Sequence, residues 1–244
     1  MTYRTSIFKC LLPLVALAAG GCVSRPPSIA HVHLGHALTG VHVPPGKRGY
    51  LLVAEKQAED VVALAEKASR GADLAQLKTD VAAAVKATNS ADEFGLKHSL
   101  VMASNHISFA ATSPDASMNV QKSAPEFARD TVRVVERCEL ISLLGKDVEA
   151  SNSVEEARLL AGEIAALAKA NLDGEDSDRD GKIGAIPTEF GMKQLRGQLD
   201  GIIARESPPY RTVDQWFLFN LVKLPNGRWV FDKLGRGGNI DGYQ

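Results

Sequence analysis

Cysteine is scarce in this chain, three residues in 244, and the three do not offer a pair that could lock a fold. Cys10 lies inside the N-terminal apolar segment and Cys22 at its end, so Cys138 stands alone in the body of the sequence. If Cys10 and Cys22 are both taken up by that segment's processing, no intramolecular disulfide is available, and stability must come from core burial, with any bound metal contributing. An excess of one charge is also missing. Lys and Arg total 28 against 29 Asp and Glu, a net charge of −1, which gives no reason to expect a nucleic-acid partner. Several catalytic signatures are absent as well. There is no His-Glu-x-x-His, no Cys-x-x-Cys-His, no nucleophile elbow and no glycine-rich phosphate loop, and no repeat at solenoid periods.

What is present begins with Arg4 and Lys9, followed by the apolar run Leu11 to Ala19 and by Gly20-Gly21-Cys22. The run is too short to span a hydrocarbon core, and small residues ahead of a cysteine suit a signal peptidase, so residues 1–21 are expected to be an export signal. The segment resembles a bacterial lipoprotein signal, although Ala19 stands where the lipobox prefers Leu or Val. That resemblance implies lipidation of Cys22, a tether over 22–30 and anchorage to a membrane in the cell envelope. With Val23 after the cysteine it implies the outer membrane, facing the periplasm, if the cell is Gram-negative.

Four of the six histidines fall between positions 31 and 42: His31, His33, His36 and His42. In an extended chain His31 and His33 share a face; in a helix His33 and His36 become neighbours one turn apart. Either geometry converges two imidazoles, and neutral imidazole suits zinc or copper. His98, Met102 and His106 recur at four-residue spacing on a later helix. His42, His98 and His106 are available to join the cluster, with His106 taken as a candidate ligand.

Apolar residues at helical spacing predict helices over Tyr50 to Ser69, from Asp73 as cap to about Thr88, and from the Ser90 to Glu93 capping box to about Ala111. A fourth helix is expected from Ser123-Ala124-Pro125-Glu126 with Pro125 in its first turn, a fifth from the Ser153 to Glu156 capping box to Leu172, and a sixth from Thr188 to Arg205. Cys138 falls in step with Val134, Val135 and Ile141, so it is expected in the core. Short connections favour antiparallel neighbours, and the expected fold is mainly α: an up-and-down helical bundle over 31–206 with a C-terminal β-hairpin. That hairpin is expected from Val213 to Lys223 and Arg228 to Lys233, around Leu224-Pro225-Asn226-Gly227, followed by a glycine-rich tail. Its aromatic residues make a protein partner a candidate there.

Between the last two predicted helices lies Asp176-Ser177-Asp178-Arg179-Asp180-Gly181-Lys182-Ile183, spaced as the first eight positions of a calcium loop over 176–187. Asp176, Asp178 and Asp180 supply carboxylates, Lys182 stands at the position that offers a backbone carbonyl, and Gly181 permits the turn. Ile183 is expected to anchor the loop on an apolar neighbour. The closing position holds Pro187 where a bidentate Glu is usual, and Glu189, two places on, is the candidate substitute.

The His31-x-His33-x-Gly35-His36-Ala37-Leu38-Thr39-Gly40 phrase, its Pro-Gly turn, the His106-Ile107 helix and the acidic loop after an alanine-rich helix together are similar to a group of uncharacterised, histidine-rich helical envelope proteins. The similarity covers most of residues 31–204 and implies no activity. Where that group has further histidines, this chain has Asp80 and Lys122. The expected function is metal binding in the envelope, by calcium and by zinc or copper, for a structural, sensing or sequestering purpose. A metal-dependent hydrolase built on the histidines and a non-catalytic docking lipoprotein are the alternatives.

Overall fold

A computed structural model describes residues 28–41, 43–211, 221–224 and 227–231. The fold is mainly α, with seven α-helices among the described residues: α1 Ile29–Leu38, α2 Tyr50–Ser69, α3 Leu74–Asn89, α4 Leu96–Thr112, α5 Met118–Ala150, α6 Val154–Asp173 and α7 Met192–Ala204. None of them is long and apolar enough to cross a membrane. Cys22 and His42 lie outside the described residues.

The helices form a bundle because their apolar stripes meet in two adjoining cores. One core joins Leu34 and Leu38 of α1, Leu51 of α2, Leu100 and Ile107 of α4, Phe127 and Val134 of α5, and Leu195, Leu199 and Ile202 of α7. The other joins Val61 and Ala65 of α2, Leu77 and Val81 of α3, Ile141 and Val148 of α5, and Ala161, Ile164 and Ala168 of α6. Helices α2 and α5 thus contribute to both cores, one half to each. Alanines on α2 and α6, Ala58, Ala65, Ala157, Ala161 and Ala168 among them, are buried and let these helices approach closely. Each fully buried Leu or Ile stabilises the fold by about 1.5–3 kcal/mol through apolar area removed from water.

Helix ends follow local capping chemistry. Asp73 accepts from the Gln76 amide at the start of α3, and Ser153 accepts from the Glu156 amide at the start of α6, as the sequence predicts. Two expected starts move. Ser90 ends α3 instead of opening α4: its amide donates to the Lys86 carbonyl, and α4 begins only after Gly95. Helix α5 starts at Met118, capped by Ser117, so Pro125 lies inside it and not in its first turn. The carbonyl of Gln121, which loses its helical donor to that proline, belongs to an exposed residue and has water in reach. The last helix begins at Met192 and not Thr188, because Pro187–Glu189 forms a separate 3-10 turn.

Helix α1 is fixed to the bundle by polar contacts at several points. The Asp115 carboxylate, from the α4–α5 connection, accepts the amides of Ile29 (2.8 Å) and Ala30 (3.1 Å), and Ser28 accepts that of His31. Three N–H groups that a helix start leaves unpaired are thereby satisfied. The Thr39 hydroxyl lies 3.0 Å from that of Tyr210. Beyond Arg211 the described chain is in fragments. Leu221–Lys223 and Trp229–Phe231 pair antiparallel over three residues, and most of the expected hairpin lies outside the described residues.

Candidate metal centres

Because residues 29–38 are helical, His33 and His36 stand one turn apart on the face of α1 that meets α4, where His106 projects between them. One ring nitrogen from each of the three lies within 4.8 Å of the others. His33 Nδ1 and His106 Nδ1 are 3.2 Å apart, close to the separation of about 3.3 Å that two ligands take on a tetrahedral zinc at about 2.0–2.1 Å. The His36 and His106 rings meet edge to face at 4.9 Å.

The surroundings favour the ligand form of these rings. Tyr50, the first residue of α2 and almost fully buried, stacks on His106 at 5.4 Å and 16°. Phe109, half-exposed, borders both His33 and His106. Desolvation by this apolar frame, aided by the neighbouring His36 and His33, pushes the His106 pKa down to about 4. Burial lowers His33 as well, against the opposing pull of the Asp115 carboxylate. Neutral imidazoles are what a transition metal binds. All three rings keep partial exposure, so the centre has an open side.

The other predicted histidines go elsewhere. His31 is buried on the opposite side of α1, where its Nδ1 accepts the Arg211 amide and its Nε2 therefore donates to Glu206 at 3.0 Å. With both nitrogens engaged, it is a structural histidine and not a member of the cluster. His98 rests edge-on against Phe94. Tyr50, Phe109 and Asp115, which shape the centre, carry no spacing signal that marks them in the sequence.

The acidic loop brings Asp176, Asp178, Asp180 and Glu189 together, one carboxylate oxygen of each within 4.8 Å of the rest. Asp176 accepts the amides of Asp180 and Gly181, and Asp180 accepts that of Lys182. Gly181 takes the positive φ, 82°, expected of the turn. Ile183 is about half exposed (47%), with its Cγ2 lying over Gly174. Glu189 is fully buried. One of its oxygens accepts the amides of Gly184 and Ala185, at 2.9 and 3.0 Å.

The base of this loop is held from inside the protein. Arg137 of α5, fully buried, donates to the carbonyls of Thr188 (3.0 Å) and Phe190 (2.7 Å) after the acidic run, and to the Glu175 carboxylate (2.8 Å) before it. The Glu175 amide reaches the Glu189 carbonyl at 3.1 Å, which closes the neck. The backbones press so closely there that a Cβ on Gly174 would lie 2.5 Å from the Glu189 carbonyl oxygen, and one on Gly191 2.3 Å from the Gly174 nitrogen. No protein family, curated protein or solved structure matches this chain.

Proposed function

We infer that this protein binds a transition-metal ion, zinc or copper, through His33, His36 and His106. The observation that carries the reading is the convergence of three imidazole nitrogens from two helices to within 4.8 Å, in an environment that keeps His106 neutral. Zinc with three protein nitrogens retains a fourth position for water or a ligand. The sequence features at residues 1–30 support an exported chain held to a cell-envelope membrane by lipid on Cys22. In that setting the bound ion serves a structural, sensing or sequestering role. The same reading takes Trp229, exposed in the described C-terminal pairing, as a contact for a protein partner.

Equilibrium dialysis against zinc and against copper(II) tests the assignment. One ion per chain is expected, lost when His33, His36 and His106 are replaced together by Ala and kept in His98→Ala. Equal binding by the triple variant contradicts it. The half-exposed side of the centre favours one second reading, a metal-dependent hydrolase using the fourth position. Turnover of a chromogenic ester or phosphate panel that vanishes with chelator and in the triple variant would support that reading.

A further inference from the structure

We propose that the loop from Asp176 to Glu189 is a second, independent metal site that takes calcium, closed by Glu189 at the fourteenth position counted from Asp176 in place of the usual twelfth. Glu189 itself points to the ligand. Its side chain is fully buried, one oxygen is used by the Gly184 and Ala185 amides, and the other, Oε1, has no hydrogen-bond partner. Glu189 also forms no ion pair among the described residues. A buried carboxylate left with an idle oxygen is costly unless a cation meets it.

The remaining ligands are in reach. Asp176, Asp178 and Asp180 each place a carboxylate oxygen within 4.8 Å of one from Glu189. Oxygens on opposite sides of a calcium ion at about 2.3–2.6 Å stand about 4.6–5.2 Å apart, so the spread fits one ion. An all-oxygen set of four carboxylates selects a hard divalent cation over the metals that imidazole binds. Calcium is favoured over magnesium because calcium accepts about six to eight oxygens in irregular geometry, whereas magnesium demands a near-ideal octahedron with shorter bonds. The 3-10 turn Pro187–Glu189 is what carries Glu189 past the proline into this position. Glu189 already gives one oxygen to two amides, so it closes the site through one oxygen and not two. Affinity is therefore expected in the regime of roughly 0.1–1 mM found in extracellular calcium modules.

Calorimetric titration of the full chain with calcium chloride tests the site directly. One calcium per chain with a Kd of roughly 0.1–1 mM is expected, with magnesium a poor competitor. Glu189→Gln is close to isosteric and should weaken calcium at least tenfold with an unchanged circular dichroism spectrum. Asp178→Asn, on an exposed residue whose replacement leaves the core intact, should weaken it comparably. The His33, His36 and His106 triple variant should bind calcium as the parent does, which separates this site from the imidazole centre. Absence of calcium binding up to about 10 mM, well beyond the extracellular range, overturns the site. Loss in Asp178→Asn with full affinity in a folded Glu189→Gln overturns the closure by Glu189.

Discussion

His33 Nδ1 and His106 Nδ1 lie 3.2 Å apart across the seam of α1 and α4, although 73 residues separate them in the chain. Two neutral rings at that distance share one proton between facing nitrogens, a contact that the proposed metal ion would replace while drawing in His36. A metal held there would tie α1 to α4, and loading it should stabilise the fold. At a hundredfold excess of zinc over its Kd, mass action adds about 2.7 kcal/mol. For a domain of this size that is a rise in Tm of about 5–10 °C, read by differential scanning fluorimetry. No rise is expected in His106→Ala.

The buried Glu206 links α1 to the segment after α7. Burial alone would raise its pKa, but hydrogen bonds from His31, Ser117 and Asn119 hold it below the usual carboxylate range. A carboxylate depressed by folding binds fewer protons in the folded than in the unfolded state, so its stabilisation is complete above the unfolded pKa of about 4.5 and is lost as pH falls through the lower folded value. Below about pH 4.5 the Tm of the parent should fall more steeply than that of Glu206→Gln. At pH 7, Glu206→Ala should cost about 1–3 kcal/mol in urea denaturation, because the buried His31 and the partly buried Ser117 and Asn119 lose their shared acceptor.

Arg137 is the buried cation under the acidic loop, and its removal takes a donor from the Thr188 and Phe190 carbonyls and from Glu175, which keeps only the longer contact to Arg133 at 3.4 Å. Arg137→Met keeps the volume and deletes the charge. A loss of about 1–3 kcal/mol is expected in denaturant titration, from the lost hydrogen bonds and not from a stranded buried charge. Glu175→Gln, on a half-buried residue that retains an acceptor oxygen, should cost clearly less.

Cys138 should be inert in the folded protein. Its thiol is fully buried beside Asn171, and desolvation pushes its pKa up to about 12. A thiol-reactive maleimide should leave Cys138 unlabelled in native Cys22→Ser protein and label it fully in guanidinium.

Much of this architecture is legible in the residues. The stripe from Leu51 to Ala65 marks α2 to its ends, and the Asp73 and Ser153 caps sit where capping chemistry puts them. Ser90 misleads because the same serine that can open a helix can also end one, and only the packing of Gly95 against the α3 terminus decides between the two. Pro125 misleads because a proline eight residues into a helix is tolerated where the orphaned carbonyl faces water. At the candidate site, the clustering of His31, His33 and His36 leaves open which two converge. That choice is made by α1 being a helix and by Glu206 and Arg211 claiming His31, contacts made 175 and 180 residues away in the chain. Arg137 carries no local signal, since a buried arginine on a helix reads as an ordinary solvated charge until its partners are brought to it.

X-ray absorption spectroscopy on the zinc-loaded protein tests the three-histidine centre most directly. The account predicts three imidazole nitrogens at about 2.0–2.1 Å with one further light ligand, and loss of the imidazole scattering when His33, His36 and His106 are replaced together. A shell containing sulfur, a shell of oxygens without imidazole, or an unchanged spectrum in that variant would contradict it.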